Sequence, residues 1–200
     1  MKTLNFSLVA LILLTLLFFV PTSHATTIWD ESVNGDLSNI SSAPSDISVL
    51  ISGSNIIVGS IGAFFTSDNT DIFNFTVPAG YVLSNVILET YDYGASYDYV
   101  PVTLFDGATS SDPIIEFMLL TEWGAGTDLL QFDSAPGAQS AGIYTMKFSS
   151  KQPVNSSGSS LYSVNLIVSP TPEPSTFFLF GIGIIGLAGS KLRRKKNHQM

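Results

Sequence analysis

The sequence predicts an all-β protein: a single antiparallel β-sandwich of about eight strands, flanked by an N-terminal signal peptide and a C-terminal transmembrane helix. Three observations lead there. Apolar runs between Thr26 and Val168 are short, rich in β-branched and aromatic residues, and separated by clusters of Gly, Pro, Asn, Asp and Ser. Several of them alternate apolar and polar residues with period two, as a strand with one buried face requires. No stretch of about ten residues in this region carries the 3.6-residue apolar period of an amphipathic helix.

Taken in order, residues 1–25 read as the signal peptide. Lys2 supplies a short positive n-region, and Phe6 to Val20 is apolar apart from Ser7 and Thr15. Pro21 ends the run, and Ser23 and Ala25 place small residues at the two positions that signal peptidase reads. An uncleaved anchor is the competing reading; the shortness of the run and the adjacent cleavage site favour removal.

Residues 26–168 are expected to form the sandwich. Strands are predicted at Ile47 to Ile51, Asn55 to Val58, Asp71 to Val77, Val82 to Thr90, Val100 to Phe105, Ile114 to Leu120, Ile143 to Phe148 and Tyr162 to Val168. The alternation is cleanest in three of them. Tyr162, Val164, Leu166 and Val168 alternate with Ser163 and Asn165. Tyr144, Met146 and Phe148 oppose Thr145 and Lys147, and Phe73, Phe75 and Val77 oppose Asn74 and Thr76. There is no cysteine, so the domain has neither disulfides nor thiolate metal sites and must rest on its core. Some 145 residues suffice, because a domain of that size buries about 70% of its unfolded surface.

Charge is partitioned. Of 16 acidic residues only Glu173 follows the domain, whereas of eight Lys and Arg only Lys147 and Lys151 fall inside it. That surplus of negative charge, with no arginine at all, argues against nucleic acid, whose phosphates demand cationic contacts.

The C-terminus is a sequence of three compositions. Residues 169–176 are a proline-rich linker containing Pro172, Glu173 and Pro174; residues 177–190 are an apolar helix candidate; residues 191–200 are a basic tail with Lys191, Arg193, Arg194, Lys195 and Lys196. Prolines lack backbone donors and fix φ, so this linker is expected to be neither helix nor inner strand. The uncharged run from Phe177 to Gly189 would rise only about 20 Å as a helix against a ~30 Å hydrocarbon core, and the basic cluster would stay cytoplasmic. An ordinary single-span anchor is one reading. The order of Pro-Glu-Pro, short apolar helix and basic cluster closely resembles the PEP-CTERM sorting signal of exopolysaccharide-producing Gram-negative bacteria. That resemblance implies processing by an exosortase with Glu173 as the recognition residue, export through the inner membrane, and residence in the cell envelope, on the surface or in an extracellular (biofilm) matrix.

A second resemblance lies in the core. Asp71 to Gly80 is a strand ending in a Pro-Ala-Gly turn, Ala141 to Phe148 is a Gly-led strand with a central tyrosine, and Trp29 to Ser38 fits a domain opening. Together they look like the bacterial pre-peptidase C-terminal-like β-sandwich, an accessory domain often attached to secreted enzymes.

The chemistry is bounded by absences. The two histidines, His24 and His198, lie outside the domain, so there is no Ser-His-Asp triad, thiol nucleophile or ordinary zinc site. A carboxylate pair acting as a glycosidase stays open but ranks last, and the expectation is a protein that is not an enzyme. Asp30, Glu31 and Asp36 before the first predicted strand, and Asp68 and Asp71 around Asn69, are the candidate hard-cation ligands, with Ca²⁺ the ion such oxygens suit. The competing reading is that they merely solvate loops. Tyr91, Asp92, Tyr93, Tyr97, Asp98 and Tyr99 have the composition of a sugar platform, in which rings stack on pyranoses and carboxylates accept hydroxyls; a hairpin with wet tyrosines is the alternative. The expected role is an exported, exosortase-sorted surface protein that associates with exopolysaccharide, and the alternative is a Ca²⁺- or protein-binding module.

Overall fold

The protein was described from a computed structural model over residues 25–62, 66–93, 100–111, 113–119, 125–131, 137–150, 159–171 and 183. The predicted signal-peptide residue Ser23, the Pro172–Glu173–Pro174 motif, the 177–190 helix and the basic tail lie outside the described residues, apart from residue 183. Among the described residues no helix is long and apolar enough to cross a membrane.

Among the described residues ten strands form two packed five-stranded sheets. They are β1 (Thr26–Asp30), β2 (Ser45–Val49), β3 (Gly53–Ile61), β4 (Thr70–Val77), β5 (Tyr81–Tyr93), β6 (Val100–Asp106), β7 (Pro113–Leu119), β8 (Thr127–Asp128), β9 (Gly142–Ser149) and β10 (Ser160–Pro170). One sheet has the order β1-β3-β10-β5-β8, the other β2-β4-β9-β6-β7. One turn of helix, α1 (Glu31–Asn34), follows β1, capped by Asp30, whose Oδ1 accepts from the Ser32 N–H at 2.9 Å.

The eight predicted strands are present, and the prediction falls short in two respects. β1 and β8 were not anticipated: β1 carries no clean alternation, and β8 is only two residues long. The sandwich is also not purely antiparallel, because β1 pairs parallel with β3 and β2 parallel with β4. The cause is topological. From β1 to β5 the chain changes sheet at every connection and reverses direction each time, so strands two apart share both sheet and direction. Where two such strands become neighbours they are parallel, the intervening strand acting as the crossover.

The core lies between the sheets. Phe73, Phe75 and Val77 of β4, Tyr144, Met146 and Phe148 of β9, and Tyr162, Val164, Leu166 and Val168 of β10 are all buried, as the alternation predicts. The Phe148 and Tyr162 rings, from opposite sheets, stack with centroids 4.1 Å apart and planes at 12°. Thr145, read as outward, does lie on the outer face yet is fully buried. The chain after β6 folds over it, and its hydroxyl meets the Asn74 Oδ1 and the Gly107 carbonyl at 2.7 and 2.8 Å.

The domain boundary also moves. β10, an inner strand, runs on to Pro170 rather than ending at Val168. Proline is tolerated there because β3 pairs with β10 only as far as Val168, so at Pro170 the strand has a neighbour on one side alone, as an edge strand does.

Candidate functional site

The two acidic groups expected on separate loops meet at one place. α1 carries Glu31 back over β3, where its Oε2 accepts from the Ser60 N–H at 2.6 Å and the Ser60 hydroxyl at 3.0 Å. Its Oε1 accepts from the Leu37 N–H at 3.1 Å, which bends the chain so that Asp36 faces the same point. Asp71, the second residue of β4, enters from the opposite sheet. One carboxylate oxygen from each of Glu31, Asp36 and Asp71 lies within 4.8 Å of the others. Asp68 joins them, lining the same concavity as Asp36 and Glu31.

Asp71 is the unusual member. It is fully buried, and its Oδ2 accepts from the Tyr162 hydroxyl at 2.8 Å, a bond that ties β4 of one sheet to β10 of the other. Its Oδ1 is buried with no hydrogen-bond partner, as is the Oδ1 of Asp68. A buried carboxylate oxygen without a partner costs several kcal/mol unless something neutralises it. Beside the cluster opens a concavity of about 420 Å³, walled by Ser60, Gly59 and Val58 of β3, by Leu161 and by the acids Glu31, Asp36 and Asp68. Asp30 stands at its rim with its own carboxylate committed to capping α1.

Burial pushes the Asp71 carboxyl up to about 8; the Glu31 charge adds to this and the Tyr162 hydroxyl opposes it. Asp68 is pushed up to about 6, first by burial and then by the charges of Asp36 and Glu31. Glu31 is raised by burial, with the Leu37 and Ser60 donors pulling the other way. Tyr162 is raised by complete burial and by the Asp71 charge. Among the described residues no cationic side chain contributes to these shifts. A carboxyl whose folded pKa exceeds its unfolded value stabilises the fold below the unfolded pKa, and that stability is lost as pH rises through the folded one. In chelator-treated buffer the protein is therefore expected to melt at a higher temperature at pH 5 than at pH 8.5. With about 1.4 kcal/mol per pKa unit, Asp71 alone makes the difference several kcal/mol in order of magnitude. Melting that is flat or rises across this window would contradict it.

The tyrosine-rich stretch is only partly described. Tyr91 is half-buried against the core, opposite Tyr162 in the β5–β10 register, so its ring serves packing rather than a free platform. Asp92 is exposed, the backbone of Tyr93 pairs with Ser160, and Tyr97, Asp98 and Tyr99 lie outside the described residues.

Three positions that shape the site escaped the sequence reading: Ser60 and Tyr162, which hold the acids, and Gly59, which leaves room for the Tyr162 ring. For Tyr162, and for Asp71 as a buried residue rather than a loop one, a signal existed. The alternation that puts Phe73 and Phe75 inside also puts Asp71 inside, and a buried Tyr162 hydroxyl needs a partner.

Residues 170–195 match the PEP-CTERM protein-sorting motif. That match marks an exported, cell-envelope-associated protein of Gram-negative bacteria, sorted by exosortase. It meets the sandwich only at Pro170, the last residue of β10, and the pre-peptidase C-terminal-like resemblance of the core has no support from it. No curated protein matches the chain.

Proposed function

We propose that the sandwich is a non-enzymatic Ca²⁺-holding module of a surface or matrix protein. The observation that carries this is Asp71: a fully buried carboxylate with one oxygen unpartnered, facing Glu31 and Asp36. Oxygens bound to Ca²⁺ at 2.3–2.6 Å lie at most about 5 Å apart, which the 4.8 Å grouping satisfies. All the donors are hard oxygens, with Glu31, Asp36, Asp68 and Asp71 as ligands and the concavity admitting water to complete the shell. Bound Ca²⁺ would supply a positive charge that no described side chain brings to the cluster.

Millimolar Ca²⁺ is expected to raise the melting temperature of the chelated protein, by the equivalent of about 2.7 kcal/mol when the ion stands at 100 times its dissociation constant. An Asp71→Asn variant should lose the response. Mg²⁺ and NaCl at matched ionic strength control for screening of the acidic surface, and an equal rise in all three salts would rule out a site.

The exported module is further proposed to associate with exopolysaccharide. This reading is favoured by the carboxylate Asp92, exposed where the tyrosine-rich stretch begins at the end of β5. A glycan array probed with the exported protein should give binding that Tyr93→Ala and Tyr97→Ala abolish. Unchanged binding in both variants would exclude the tyrosines as the platform.

A further inference from the structure

Both chain termini leave the sandwich at one pole. β10 ends at Pro170, beside Tyr81 at the start of β5, and Val168 lies beside Gly53 at the start of β3. β1 begins at Thr26, immediately after the expected cleavage point, and runs parallel to β3 from Asn55 onward. The opposite pole holds Ser160, Ile61 and Tyr93 in register, with Ser60, Glu31 and Asp71 beside them. The 11 residues of β10 separate the poles by roughly 35 Å at ~3.3 Å per residue.

The exit is latched. The Thr171 N–H and the Thr171 hydroxyl both donate to the Gly80 carbonyl at 2.9 Å. Gly80 takes a positive φ of 82°, which turns that carbonyl at the Pro78–Gly80 corner. Pro172 of the sorting motif follows Thr171 directly, so no slack lies between fold and motif. Residues 172–176, the only chain between the latch and the apolar segment, span at most about 18 Å when extended. That is about half the length of the sandwich.

We propose that the pole formed by Pro78–Gly80 and Thr171 is the docking surface for the membrane-embedded processing enzyme, so that the sandwich stands end-on and directs its carboxylate pocket away from the bilayer. A tether of about 18 Å cannot run back along a sandwich of roughly 35 Å, so the domain cannot invert to set its far pole on the membrane, and the enzyme must meet the motif within a residue of the folded domain. This rests on the sorting reading of the tail and goes beyond it by naming the face that the enzyme touches.

The absence of cysteine makes the test clean, since any introduced thiol is unique. Ala79 and Ser159 are exposed and mark the two poles. Full-length Ala79→Cys and Ser159→Cys chains would each carry a fluorophore in vesicles containing a lipid-attached quencher, and a photo-crosslinker in membranes with exosortase. The Ala79 label is expected to be quenched at least threefold more than the Ser159 label, and to crosslink to the enzyme where the other does not. Equal quenching, or crosslinking from Ser159, overturns the proposal. Removal of the tail is scored separately by mass. An uncut chain with quenching confined to Ala79 upholds the orientation while removing the sorting reading on which the enzyme contact depends.

Discussion

Replacing Gly59 with alanine is expected to lower the melting temperature by about 10 °C and to blunt the response to Ca²⁺. Gly59 lies on the inner side of β3, and a Cβ built there overlaps the Cζ and hydroxyl of Tyr162. That ring cannot swing aside, because it is fully buried, stacked on Phe148 and hydrogen-bonded to Asp71. Overpacking a core costs about 1–3 kcal/mol, and stripping Asp71 of its donor adds about 1–3 kcal/mol. A total near 3 kcal/mol moves the midpoint of a domain this size by about 10 °C. Gly142→Ala is the matched control: its new Cβ would meet the Tyr144 ring at 3.6 Å, an ordinary contact, without positive φ. If the two variants melt together, the wedge between Gly59 and Tyr162 is not what sets the site.

The second large effect concerns the tail. In a host with exosortase the wild-type chain is expected to end before Phe177, whereas Glu173→Ala should accumulate as a longer, membrane-retained precursor. Glu173 is the only acid after the sandwich, and it sits in the motif between two prolines. Its loss changes neither the apolar length of residues 177–190 nor the charge of Lys191, Arg193, Arg194, Lys195 and Lys196, the properties on which an anchor depends. A permanent anchor would therefore be indifferent to it, and a processing signal would not. Intact mass decides between them, since a wild-type product that still ends at Met200 excludes removal of the tail.

How much of this was legible beforehand differs between fold and site. Circular dichroism should show a β spectrum with little helix, as the alternation in β4, β9 and β10 already implied. Parallel pairing at β1 and β2 was not legible, since period two reports which face is buried and says nothing of strand direction. Thr145 shows the same limit: its outward phase was correct, but the loop that covers it comes from residues about 38 positions away.

What the sequence determined alone is whatever depends on near neighbours. The period of two sets strands, the absence of Cys and His inside the domain excludes whole classes of chemistry, and the order of Pro-Glu-Pro, apolar run and basic cluster spells the sorting motif. Each is written within a few residues, so a one-dimensional reading recovers it. The carboxylate site is different. Glu31 and Asp71 stand 40 positions apart, and Tyr162 another 91 beyond Asp71. Only the stacking of two sheets, one bringing Ser60 and Tyr162 and the other bringing Asp71, makes these residues neighbours. The same burial that joins them raises the cost of their charge, and that cost, invisible in the spacing of the acids, is what the proposed Ca²⁺ site rests on.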